Sequence, residues 1–342
     1  MDYRKFMNIS KRKIKSWNRF EVSNFIVEIA LLDSFHEFLF DEHTIRISLP
    51  SKKDIPEKDV FDESDYEIKL GLAGAKIVGG KEIPTEYAVY QVNVSIVIPD
   101  KINISQEFFE NKVNPYTHFI ESQKNHFDKL AEKYYLMAER VFDLWLRILR
   151  WKCNNPAIGR PNIDNFGTGY TELIDKETQK YIWGHNQPLA LFLHKAVTLS
   201  IWSEIETALK DRLKSPVFFD FLFDAIEHLS NGDLQRSIVD TAVSCECLLR
   251  IQIMKSLPNN LNGSIKKFVD DANIRQVVTK FFPELLSEDQ RKAYKKIEST
   301  LHQLFDKRNT ILHSGKLDDL SEEECKKFIN VTRNLISICD TT

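Results

Sequence analysis

The chain has 342 residues and a formal net charge of −3. Its hydrophobic and charged fractions, 42% and 28%, are typical of globular proteins and exclude a disordered, collagen-like or disulfide-scaffold chain. Because the chain as a whole is not a polycation, binding to nucleic acid would depend on local basic patches. The length predicts two or three domains.

The first twenty residues contain many Lys and Arg side chains and a single acid, Asp2. The basic residues are Arg4, Lys5, Lys11, Arg12, Lys13, Lys15 and Arg19. One interpretation is a solvated, partly mobile arm. The other is an arm that contacts phosphates, because clustered Lys and Arg bind nucleic acid without sequence preference. Both interpretations stay open at this point.

The residues that follow alternate between apolar and polar side chains, which indicates strands. Strands are predicted at 22–32, 44–49, 66–72 and 88–98, with a glycine-rich turn at 77–81. Together with the basic arm they predict a small antiparallel β domain over 1–105.

The apolar period then changes to that of helices. Helices at 127–151 and 188–213, separated by a loop at 154–169, predict a helical middle region over 106–215. Pro216 is the predicted boundary of a last, all-helical domain over 216–342. Its predicted helices are 217–229, 233–257, 264–281, 287–313 and one that begins at Ser321. The fold class is therefore predicted to be α+β.

The five cysteines fit no disulfide framework, which indicates a reducing compartment. Cys245 and Cys247 are two apart on a predicted helix and point in different directions, so we expect core or half-buried thiols and no metal site. No signal peptide and no apolar run of about 18 residues is visible. We therefore expect a cytoplasmic protein that does not bind the membrane.

One group of polar residues lies near the end of the helix predicted at 287–313. Asn309 and His313 are four apart and share a helical face, while Arg308 lies about 100° around the axis with a long side chain. The buried side of this helix is expected to consist of Thr300, Leu301, Leu304, Phe305 and Leu312.

These side chains suit the cleavage of an RNA phosphodiester. Histidine transfers protons near neutral pH, and a guanidinium stabilises charge on the phosphate oxygens. Asn309 would orient the imidazole or donate to the phosphate. The alternative is that Arg308 and His313 are only favourable charges near a helix C-terminus.

The run Arg308-Asn309-x-x-x-His313, followed by Ser314-Gly315 and placed late in a helical bundle, resembles the HEPN family and most closely its Apea-like branch. The segment 240–250, with Glu246 before paired leucines, resembles the long helix that precedes this motif in that branch. The resemblance extends over about 217–338 and implies an HEPN-like helical bundle. The β domain and the middle helices resemble no family that we name.

The resemblance implies an endoribonuclease that needs neither metal nor other cofactor and produces 2′,3′-cyclic phosphate and 5′-hydroxyl ends. It assigns catalysis to Arg308 and His313, supported by Asn309. Glu246 would either hold Arg308 in position or serve the bundle structurally. Two protomers would form a composite cleft, with Lys307 and Lys316 contacting RNA.

Members of this family often act in bacterial antiviral defence or toxin systems. The N-terminal domain would then bind a regulatory partner or a phage trigger. The rival hypothesis is a non-catalytic HEPN-type dimeric scaffold, or a module that binds a nucleotide or a protein.

Overall fold

The protein is described by a computed structural model. The residues it describes are 9–55, 69–105, 120–160, 170–174, 181–186, 195–258, 263, 267, 271–315 and 319–340. The chain divides into two compact units: Met1–Gly159 with Leu191–Lys214, and Arg160–Ala190 with Ser215–Thr342. It is α+β, with antiparallel strands in the N-terminal part and mostly helices after residue 120.

The described residues of the first unit contain seven strands in two antiparallel sheets. They are β1 (Ile9–Glu21), β2 (Ile26–Glu28), β3 (Phe35–Phe40), β4 (His43–Ser48), β5 (Leu70–Val78), β6 (Lys81–Val89) and β7 (Gln91–Ser105). One sheet has the order β1-β7-β4-β3, and the other has the order β2-β6-β5. Gly79 and Gly80, at φ of 58° and 78°, form the predicted turn between β5 and β6.

Two sequence predictions for this region need correction. Residues 9–21 form an edge strand of the four-stranded sheet, whereas we expected an arm. The strand predicted at 22–32 is reduced to β2, because Asn24 and Asp33 adopt positive φ angles of 54° and 72° that interrupt extended backbone. Of the strand predicted at 66–72, residues 66–68 lie outside the described residues.

Helices α1 (Glu121–Cys153) and α2 (Leu199–Lys210) belong to the first unit and share its core. The range 106–215, predicted as a separate helical region, therefore does not form a unit of its own. Part of it, the antiparallel hairpin of β8 (Tyr170–Ile174) and β9 (Tyr181–Asn186), falls within the second unit. The helix predicted at 188–213 is described only from residue 195 onward and begins at Leu199.

A buried histidine joins β3 to both of these helices. Trp145 Nε1 on α1 donates to His36 Nδ1 at 3.1 Å, so His36 Nε2 carries the proton and donates to the carbonyl of Trp202 on α2 at 3.0 Å. The His36 ring also stacks on the indole of Trp202, with 3.7 Å between the ring centroids. Burial lowers the pKa of His36 to about 4, which keeps the imidazole neutral.

The second unit contains helices α3 (Val217–Ser230), α4 (Leu234–Ser256), α5 (Glu288–Ser314) and α6 (Glu322–Asp340). Their ends agree with the capping signals in the sequence. Asp233 accepts from the backbone N–H of Arg236 at 3.2 Å, and Gly315 ends α5 at φ 76°. One helix was predicted between α4 and α5, over 264–281. In the described C-terminal part of this range, the chain instead forms short helical turns over 274–285. Asn273 caps the first of these turns.

Polar contacts between helices fix their register in this unit. Ser244 Oγ on α4 donates to the carbonyl of Phe218 on α3 at 2.7 Å, and Cys245 Sγ lies 3.0 Å from Thr332 Oγ1 on α6. Tyr294 on α5 donates to the carbonyl of Val278 at 3.0 Å. Within the described residues, no helix is long and apolar enough to cross a membrane.

Candidate active site

The candidate site lies where the C-terminal half of α5 passes the middle of α4. The buried stripe of α5 includes Tyr294, Ile297, Leu301, Leu304 and Phe305. Arg308 follows Leu304 by four residues and therefore continues this stripe toward the interior. It meets Glu246, which follows the fully buried Cys245 on α4.

Glu246 binds two arginines at once. Its Oε2 accepts from Arg308 Nη2 at 2.9 Å. Its Oε1 accepts from Arg250 Nε and Nη2 at 3.0 and 2.8 Å. The side chains of Glu246 and Arg308 are only 20% and 22% exposed, so solvent screens this ion pair less than a surface pair.

Arg250 is a member of this network that was not among the residues predicted from the sequence. Besides binding Glu246, its Nη2 donates to the carbonyl of Ala272 at 3.1 Å. The signal that could have identified it is its position four residues after Glu246 on one helix, the spacing of a helical ion pair. Arg250 and Arg308 thus approach Glu246 from the same helix and from the neighbouring helix, respectively.

Two of the five N–H groups of Arg308 have partners in this network. Nη2 donates to Glu246, and Nη1 donates to Asn309 Oδ1 at 3.0 Å. Nε is buried, with no hydrogen-bond partner within the described part of the chain. Each Nη nitrogen has a second N–H, and these two groups would donate to a bound anion.

His313 does not join this network. It is an exposed residue in the last turn of α5, four residues after Asn309. Ideal helix geometry separates it from Arg308 by about 140° around the axis and about 7.5 Å along it. The structure therefore brings together Glu246, Arg308 and Asn309 within one chain and leaves the imidazole on the surface at the end of the helix.

One of the two lysines predicted to contact RNA is already part of an ion pair. Lys307 Nζ lies 2.9 Å from Glu324 Oε2 on α6. Lys316 lies outside the described residues. The prediction for Leu312 was wrong: its side chain is 59% exposed, and the neighbouring Ile311 is buried instead. The apolar stripe shifts by one position because Ile311, not Leu312, follows Leu304 by seven residues.

Burial disfavours the thiolate form of two cysteines on α4. Cys245 is fully buried, which raises its pKa to about 12, and burial also raises the pKa of the half-buried Cys247. This confirms the expectation of core and half-buried thiols. Among the described residues, no group of three or more His, Cys, Asp or Glu side chains could hold a metal ion.

The chain was compared with protein-family models, with curated proteins and with solved structures. None of the three comparisons gives a significant match.

Proposed function

We propose that the second unit is an HEPN-type endoribonuclease in which Arg308 and His313 act on the RNA backbone. The observation that supports this most is the clamped guanidinium of Arg308. Glu246 and Asn309 hold it from two sides, and one N–H on each Nη nitrogen is left for a phosphate oxygen. Because the guanidinium of Arg308 is already held in position, it need not be ordered when negative charge develops on the phosphate oxygens in the transition state.

The proposed reaction is attack of a ribose 2′-oxygen on the adjacent phosphorus. The 2′-O–P bond forms and the P–O5′ bond breaks. A base takes the proton of the 2′-hydroxyl, and an acid gives a proton to the leaving O5′. The products are a 2′,3′-cyclic phosphate and a 5′-hydroxyl, and the side chains supply the proton transfers without a cofactor.

A homodimer would complete this site. One chain offers one Arg308 and one His313, whereas a two-fold axis places a second copy of each opposite the first with no further sequence. Within one chain, His313 lies on the exposed end of α5 and outside the Arg308 network. We therefore propose that His313 of each protomer acts beside Arg308 of the other.

A second candidate is a non-catalytic dimeric scaffold. The observation that favours it is the exposed Leu312 next to His313, since exposed large apolar side chains occur at protein interfaces. In this account, the ion pair between Glu246 and Arg308 serves only to hold α4 against α5. A bacterial defence or toxin role belongs to the endoribonuclease proposal and not to this one.

One experiment separates the two. Purified protein is incubated with total RNA in the presence of EDTA and compared on a gel with the His313→Ala variant. Because His313 is exposed, its loss should leave the fold intact, and cleavage should fall by about 10²- to 10⁴-fold. Equal cleavage by variant and parent would remove the catalytic role of His313. No cleavage by either would favour the scaffold.

A further inference from the structure

The outer face of the four-stranded sheet carries basic side chains around an exposed tryptophan. Along the edge strand β1, the even-numbered side chains point toward α1, as shown by Phe20, which stacks on Phe142 with 4.6 Å between the ring centroids. The odd-numbered side chains lie on the opposite face and are exposed: Lys13, Lys15, Trp17 and Arg19. The basic side chains that the structure describes on β1 therefore lie on one side of the strand.

Trp17 is the centre of this face. Its side chain is 51% exposed, although tryptophan is one of the residues that proteins usually bury. Lys15 Nζ lies 4.8 Å from the centroid of the indole ring. An exposed aromatic surface beside a cation is the combination on which single-stranded nucleic acid stacks and to which its backbone binds.

The described residues of β7 that lie opposite Trp17 and Lys15 are uncharged. Ser95 on β7 is opposite Trp17, and Val97 is opposite Lys15. Among the acidic side chains described on this face, Glu21 ends β1, and Glu37 on β3 is bound to Arg46, with Arg46 Nη2 2.6 Å from Glu37 Oε2. The described surface beside the indole therefore carries the positive charge of Lys15.

We propose that this face binds a single-stranded polynucleotide, with a base stacked on Trp17 and phosphates on Lys13 and Lys15. A duplex keeps its base faces inside the stack and could use the charges but not the indole. An acidic peptide would likewise gain nothing from the indole surface. The inference does not depend on cleavage by the second unit, since it concerns residues of β1 alone.

The first test measures binding of a fluorescent single-stranded DNA of about 12 nucleotides to the full-length protein by anisotropy. DNA lacks the 2′-hydroxyl, so the proposed cleavage cannot interfere. Trp17→Thr, which retains β propensity, should weaken binding by about 5- to 100-fold, the equivalent of one stacked base. Trp17→Phe should retain most of the affinity. The matched control is Leu39→Thr, an equally exposed position on β3, which should change nothing.

The second test measures the salt dependence of the same binding. Replacing Lys13 and Lys15 by Ala should reduce the slope of log K against log salt by about 1.4, or about 0.7 for each phosphate that the protein no longer neutralises. Replacing the exposed Lys52 and Lys53 by Ala removes the same charge elsewhere in the unit and should leave the slope unchanged. Single-stranded RNA, tested on the His313→Ala protein, shows which of the two polynucleotides binds more tightly.

Several outcomes would overturn the proposal. One is unchanged binding by Trp17→Thr with a folded circular dichroism spectrum. Another is that polyglutamate or duplex DNA displaces the fluorescent strand as well as unlabelled single-stranded DNA does. A third is that light scattering gives a lower molecular mass for the Trp17→Thr protein than for the parent. The face would then be a contact between two copies of the chain.

Discussion

Glu246 and Arg308 are 62 positions apart in the sequence, and their side chains meet at 2.9 Å between Oε2 and Nη2. This ion pair connects α4 to α5 at the level of the candidate site. Because Arg250 binds the other carboxylate oxygen, one negative charge holds two guanidinium groups. The position of Arg308 therefore depends on a residue that need not touch the substrate.

Glu246→Gln tests this dependence. The substitution keeps the shape of the side chain and removes the charge between Arg250 and Arg308. We expect the free energy of unfolding of the second unit to fall by about 1–3 kcal/mol, the usual cost of leaving charged donors without their acceptor. RNA cleavage should fall as well. Chemical denaturation and a gel assay measure the two effects.

The matched control for Glu246→Gln is Glu324→Gln, which breaks the single ion pair with Lys307 in the same unit. Its effect on stability should be below about 1 kcal/mol, because an isolated, partly exposed pair contributes little. Cleavage should be unchanged. If Glu246→Gln destabilises the protein and leaves cleavage intact, Glu246 serves the bundle and not the site.

The chemistry of the cleaved ends tests the reaction. Attack by the 2′-oxygen gives 2′,3′-cyclic phosphate and 5′-hydroxyl ends, which mass spectrometry of a short RNA product identifies. A substrate with one 2′-deoxyribose at the scissile position should bind and stay uncut, since its nucleophile is missing. EDTA should not inhibit. Products with 5′-phosphate ends, or activity that returns only with magnesium, would contradict the mechanism.

Subunit mixing tests the composite cleft. An Arg308→Ala chain and a His313→Ala chain are each expected to be inactive alone. After exchange of subunits, a mixed dimer has one half-site in which the intact His313 faces the intact Arg308, so part of the activity should return. Light scattering checks that the protein is a dimer. Activity from a strictly monomeric protein would exclude the shared site.

The pH dependence of stability in the first unit follows from His36. Its pKa is about 4 in the folded protein and near 6.5 when unfolded, so the unfolded chain binds the proton first as pH falls. We expect the free energy of unfolding to be unaffected by His36 above pH 6.5, to decrease between pH 6.5 and 4, and to level off below. The total loss is about 3 kcal/mol.

Urea unfolding followed by tryptophan fluorescence at several pH values measures this decrease. His36→Gln retains a donor for the Trp202 carbonyl but does not titrate, so the variant should be less stable at neutral pH with a smaller decrease on acidification. His126→Gln, at an exposed position of α1, should keep the parent's profile. An unchanged profile in His36→Gln would assign the acid sensitivity to other groups.

Local signals in the sequence were sufficient for much of the helical part. Asp233 and Gly315 mark helix ends that the structure reproduces, since caps depend on the backbone groups of one turn. The spacing from Arg308 to His313 correctly places both on α5. The prediction for Leu312 was wrong although the helical spacing was readable, because Ile311 and not Leu312 follows Leu304 by seven residues.

Contacts between residues that are far apart in the chain could not be predicted from the sequence. The pairing of β1 with β7 joins residues that are far apart in the chain, and the basic side chains of β1 concealed its alternation. The residues next to His36 in the sequence do not indicate that Trp145 and Trp202 contact it. For Glu246, the resemblance named pairing with Arg308 as one of two roles, and the structure shows the contact between the two side chains.

The first unit is discontinuous along the chain, since it needs both Met1–Gly159 and Leu191–Lys214. During translation, the sheets and α1 leave the ribosome before α2 exists, and His36 then lacks the carbonyl of Trp202. The core of this unit can close only after residues 160–190 of the other unit have been synthesised. A fragment that stops at Gly159 would therefore resemble the nascent chain, with the ring of Trp145 left uncovered on the side where Trp202 belongs.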